Sequence, residues 1–74
     1  MINNKKEIKA FLPGTIIDVM VKEGQAVKAG ETLVILEAMK MHNRMIASMD
    51  GTVKNIKAKV GDRVTKNFVM VELE

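Results

Sequence analysis

Lys40 is the residue whose type and setting are best suited to chemistry. It sits in the run Glu37-Ala38-Met39-Lys40-Met41, with a methionine on either side. A lysine amine is ordinarily protonated, and the neutral, nucleophilic fraction near neutral pH is on the order of one in a thousand. Such a group is a poor catalytic base by itself. It is a good acceptor for an enzyme that binds it and removes its proton. Acylation would turn the ammonium into a neutral amide and lower the formal net charge from +3 to +2. The other reactive types offer less. His42 is the single histidine, and the chain has no Cys. General acid–base work needs a nucleophile or substrate group within reach. No Ser or Cys adjoins His42 in sequence, so it reads as a surface strand histidine. The glycines make no Gly-x-Gly-x-x-Gly phosphate loop and read as turn residues with positive φ.

The elements that must hold Lys40 emerge from a repeat. A shift of 37 positions lays residues 10–37 over residues 47–74. Ala10, Gly14, Thr15, Lys22, Gly24, Val27, Val34, Leu36 and Glu37 meet identical residues, and most other pairs keep polarity, such as Ile16 with Val53 and Val19 with Ile56. Copies of 28 residues are too short to be separate domains. The pattern predicts one domain of two similar halves about an approximate two-fold, with Lys40 in the segment between them, residues 38–46. Glu37 reads as a strand-end charge, because Glu74 holds the same place in the other half, where there is no lysine.

Each half reads as β structure. Apolar side chains alternate or nearly alternate over Thr15–Lys22 and Thr52–Lys59. The spacing 16, 19, 21 recurs as 53, 56, 58, and the skipped step predicts a bulge early in each strand. Thr32–Glu37 and Phe68–Leu73 are apolar and β-branched, as strands are. Pro13-Gly14, Glu23-Gly24-Gln25, Ala29-Gly30, Asp50-Gly51 and Val60-Gly61-Asp62 punctuate them as turns. Residues 41–48 read as one further strand. Lys40 then falls at a tight β-turn. The expected fold class is all-β, a small flattened barrel or sandwich of eight or fewer strands in two pseudo-symmetric halves. Residues 1–9 read as a polar lead-in and residues 10–74 as the domain.

Bulk properties narrow the function classes. A chain of 74 residues buries only about 60% of its unfolded surface. That leaves one thin core and no deep cleft, which favours carriers and binding modules over enzymes. The net charge of +3 comes from scattered lysines and arginines, and Phe11 and Phe68 are the only aromatic residues. Single-strand nucleic-acid readers need stacking platforms, so no nucleic-acid partner is expected. No apolar run approaches the roughly 18–20 residues that span a bilayer, and the charged start is unlike a secretory signal. No direct membrane insertion is expected, and the Cys-free composition fits a cytoplasmic location.

From Pro13-Gly14 through Val71 the chain resembles the biotinyl domains of biotin-dependent carboxylases, decarboxylases and transcarboxylases. Glu37-Ala38-Met39-Lys40-Met41 is similar to the family's Ala-Met-Lys-Met attachment motif. The frame Gly14-Thr15-Ile16, Val19, Val21, Gly24, Val27, Gly51-Thr52-Val53, Gly61-Asp62 and Val64 fits around it. The resemblance implies a barrel-sandwich hybrid fold and covalent biotin on Lys40, with Glu37, Ala38, Met39 and Met41 around the attachment point. It implies a biotin protein ligase as one partner. It implies biotin carboxylase, carboxyltransferase or decarboxylase subunits as the others, the hard chemistry lying with cofactor and partners. Met39 and Met41 would serve recognition or carboxyl transfer, whereas Met45 and Met49 read as adaptable core fillers. His42 stands where many members carry Glu, which bears on the identity of the partner. The alternative is a lipoyl carrier domain of a 2-oxo acid dehydrogenase-type complex. That family shares the fold and the lysine turn, but usually has an acid before the lysine and a small residue after it.

Overall fold

β-branched and apolar residues at a period near two, cut by turn residues, bury one side of each strand and leave the other wet. The computed structural model describes residues 6–74 and resolves this pattern into eight strands. They are β1 (Glu7–Lys9), β2 (Gly14–Val19), β3 (Ala26–Val27), β4 (Thr32–Ala38), β5 (Met41–Ile46), β6 (Gly51–Ile56), β7 (Arg63–Val64) and β8 (Val69–Leu73). Two antiparallel four-stranded sheets result, ordered β1-β8-β6-β3 and β5-β4-β2-β7. The described residues contain no α-helix, and so no helix long and apolar enough to cross a membrane. The molecule is flattened, 19 Å along its short axis against 30 and 27 Å along the others.

The two-fold of the sequence is the two-fold of the sheets. In the β4–β5 pair, Ile35 faces Arg44, Val34 faces Met45 and Thr32 faces Ile46. In the β8–β1 pair, the residues 37 positions away do the same: Glu72 faces Glu7, Val71 faces Ile8 and Val69 faces Lys9. The core repeats likewise. Its largest fully buried side chains include Ile16 with Val53, Leu33 with Met70, Val34 with Val71 and Leu36 with Leu73. No polar or charged side chain is buried among the described residues. Met45 and Met49 pack against this core, as read.

The predicted bulges are present. The register of β2 against β4 shifts between Ile16 and Asp18, and that of β6 against β8 shifts between Val53 and Asn55. The skipped apolar step is therefore a residue pushed out of the ladder at the same point of each half. A third shift, between Thr32 and Val34, lets the neighbours Leu33 and Val34 both turn inward.

Two readings need amending. Of the lead-in 1–9, residues 1–5 lie outside the described residues, but Glu7–Lys9 form β1 with Ile8 buried. Three residues are too few to show a period, and their partner β8 lies at the far end of the chain. The turn reading of the glycines fits Gly24, Gly30 and Gly61, whose φ values are 88°, 89° and 94°. It does not fit Gly14 and Gly51, which open β2 and β6 without a positive φ. A Cβ on Gly14 would collide with the Glu37 carbonyl oxygen, and one on Gly51 would sit 2.8 Å from that of Glu74. These two are small because another backbone runs against them.

Candidate functional site

β4 ends at Ala38 and β5 begins at Met41, and these two residues face each other across the hairpin. Only Met39 and Lys40 connect them. Their φ values are 53° and 64°. Positive φ at both central residues marks a type I′ turn, whose twist matches the strands it joins. Asn-Gly is the usual occupant. A residue with a Cβ in the left-handed region costs about 1–2 kcal/mol. Such strain persists only where the surroundings over-determine it. Here the restraint is a ladder running from Ala38–Met41 down to Thr32–Ile46.

The turn aims its side chains outward. Met39 is 79% exposed and Met41 65%, and Lys40 is exposed between them. Packing therefore cannot explain the two methionines. Lys40 makes no ion pair with any described residue, so no salt bridge has to break before its amine is reached. Ala38 is buried at the base of the turn, where Gly14 of β2 runs close against it. Its role is to let the strands approach. The exposed Glu37 side chain leans over its cross-strand neighbour, with Oε2 3.6 Å from His42 Nε2. So exposed a pair contributes little to stability. Thr15 lies beside Glu37 on β2, and Arg63 beside Thr15 on β7. A row His42–Glu37–Thr15–Arg63 thus crosses the sheet just below the turn, and Glu37, Thr15 and Arg63 line a shallow depression beside Lys40.

The sequence reading passed over Asn43. Its Nδ2 donates to the Leu36 carbonyl at 3.2 Å and to the Met41 carbonyl at 3.1 Å. The signal was available: strand alternation places residue 43 on the inward side with Met45 and Ala47, and a polar side chain there needs partners.

Chemically, the arrangement offers one accessible amine on a short, strained, well-anchored turn between two exposed thioethers. That suits an amide bond to a carboxylic-acid cofactor, because the attached group is held by a covalent bond and needs no pocket. The described residues contain no cluster of three or more His, Cys, Asp or Glu able to hold a metal ion.

Comparison with known proteins bears on which cofactor. Residues 6–73 match the sequence profile of the family described as biotin-requiring enzyme. The chain is 42% identical over 67 residues to the mitochondrial propionyl-CoA carboxylase alpha chain of Homo sapiens, covering 90% of this chain and 9% of that one. It is 59% identical over 46 residues to the methylmalonyl-CoA decarboxylase subunit gamma of Veillonella parvula, covering 62% of this chain and 36% of that one. Among solved structures, the lipoyl domain of the 2-oxoglutarate dehydrogenase complex from Azotobacter vinelandii superposes with a TM-score of 0.73 at 31% identity, covering 84% of this chain and 78% of that one. The chain thus spans only a fraction of the length of the carboxylase and decarboxylase proteins it matches.

Proposed function

The chain belongs to the biotin-requiring enzyme family, and from that premise we propose that Lys40 is its biotin attachment site and that the domain carries a carboxyl group between the active sites of partner subunits. It is a biotin-requiring carrier domain. The observation that carries the attachment site is the type I′ turn, which holds Lys40 out between Met39 and Met41 at the tip of the β4–β5 hairpin. A biotin protein ligase supplies biotin as the acyl-adenylate. The Lys40 amine, having given up its proton, attacks the activated carboxyl carbon, the amide C–N bond forms, and AMP leaves.

Once attached, biotin supplies a ring nitrogen that takes up and releases a carboxyl group. The chain's own residues do no bond-making after that. The hairpin fixes where the arm is rooted. The row His42–Glu37–Thr15–Arg63 and the exposed methionines give partners a surface to recognise. Tethering raises the local concentration of the ring at each partner site to the millimolar range by geometry alone. Catalytic groups therefore belong to the partners, namely biotin carboxylase and carboxyltransferase or decarboxylase subunits. The likeness to the gamma subunit supports a carboxylase or decarboxylase acting on an acyl-CoA. The likeness to the lipoyl domain supports the shared fold, while the exposed methionines flanking Lys40 speak against lipoylation. The test is streptavidin capture after co-expression with a biotin protein ligase. Wild type should be retained on the resin. Lys40→Arg should pass through with its melting temperature unchanged. Retention of Lys40→Arg would overturn the assignment.

A further inference from the structure

The two halves match in nearly every structural device, but they differ in the residue at the position of Asn43. Gly14 and Gly51 make the same close approach, to the carbonyls of Glu37 and Glu74. The bulges and the pairing registers repeat as well. Asn43, in contrast, corresponds under the 37-residue shift to Lys6, which is exposed. Its half-buried amide occupies an inward position of β5, between Met41 and the core-packed Met45. Both of its side-chain hydrogen bonds go to backbone carbonyls that bracket the turn, Leu36 on β4 and Met41 on β5. A carboxylate of the same shape has no donor to offer there. An aliphatic residue would suit the apolar surroundings but could make neither bond.

We infer that Asn43 is a positioning residue for the lysine turn, an inference that rests on the reading of Lys40 as the biotin acceptor. Met39 and Lys40 hold positive φ without the help of glycine. A turn of that kind relaxes unless its flanks are fixed. Asn43 is held to the Met41 carbonyl on its own strand and reaches across to the Leu36 carbonyl on β4, so the hairpin end cannot splay without breaking the bond to Leu36. An ordered turn meets the ligase with its ordering entropy already lost. Disordering it lowers the rate at which the amine is presented in reactive geometry. Asparagine stands at this position in the half that holds Lys40, where the other half has Lys6, which fits a role tied to Lys40.

The test uses the whole chain as Asn43→Asp and Asn43→Val, read in two ways. On unmodified protein, amide relaxation by NMR reports order at Met39 and Lys40. In parallel, kcat/KM for biotinylation is measured with a biotin protein ligase. In both variants the order parameters at 39 and 40 should fall from about 0.85 towards 0.6. Acceptor kcat/KM should drop about tenfold. Asn43→Val, β-branched and apolar in a half-buried strand position, should melt no lower than wild type. Loss of acceptor quality without loss of stability is what a merely structural asparagine would not give. Wild-type order at 39 and 40 in Asn43→Val, or wild-type kcat/KM in it, overturns the inference. If Asn43→Asp fails to fold, Asn43→Val decides alone. If wild type itself is never biotinylated, the attachment reading fails, and the relaxation data still decide whether Asn43 orders the turn.

Discussion

Replacing Met39 by Asn should make the protein more stable, although it removes a large apolar side chain. Met39 is 79% exposed, so its truncation gives up little buried area. Its φ of 53° places a Cβ in the left-handed region at a cost of about 1–2 kcal/mol, and Asn tolerates that region better than other residues with a Cβ. The expected gain is about 1 kcal/mol. For a domain of this size that is a rise of about 4–8 °C in Tm, against a total stability of about 4–11 kcal/mol. Met41→Asn is the control. Met41 is 65% exposed and faces Ala38 in the ladder, with no positive φ to relieve. It should gain nothing, and should lose a few tenths of a kcal/mol because Asn is disfavoured in strands. Scanning calorimetry or circular-dichroism melts, checked for two-state behaviour, provide the comparison. A Met39→Asn variant that melts at or below wild type would refute the strain argument. So would a Met41→Asn variant that gains as much.

Further predictions concern the frame. Gly14→Ala should cost about 1–3 kcal/mol, because its methyl meets the Glu37 carbonyl with no room to shift; chemical denaturation should show a lower midpoint at an unchanged m-value. Leu36→Ala, in the fully buried position below the turn, should cost about 2–5 kcal/mol and leave the fold near its limit at 37 °C, visible as lost amide protection across β4 and β5. His42→Glu places two carboxylates opposite each other at Glu37 and should destabilise by about 0.2–1 kcal/mol. Raising the salt concentration should shrink that loss by screening the repulsion, and a loss independent of salt would exclude a charge effect.

The sequence was legible where local rules and the repeat agreed. The skip from Ile16 to Val19, copied at Val53 to Ile56, announced both bulges, because a side chain can keep to one face after an odd step only if a residue leaves the ladder. Lys40 could be placed on a turn because the strand pattern Thr32–Glu37 stops before it and another opens at Met41, and the structure adds only Ala38 to the first. That the turn is type I′ was not legible, since neither Met nor Lys signals positive φ. The ladder on both sides imposes that conformation. β1, β3 and β7 are two or three residues long and exist through tertiary pairing, so no window of sequence could show them. Gly14 and Gly51 looked like turn residues because a close approach of backbone leaves no local trace. Asn43 was legible only in part: strand alternation sets it inward, but its partners are carbonyls, which every sequence has.

The central claim is that the Lys40 amine, and no other in the chain, receives biotin. Cells supplied with both biotin and lipoate, and expressing a ligase for each, provide the most direct trial. Intact mass of the purified protein followed by peptide-level fragmentation should show one biotinyl group per chain, on Lys40. A lipoyl group at Lys40, a biotinyl group on another lysine, or an unmodified chain would contradict it.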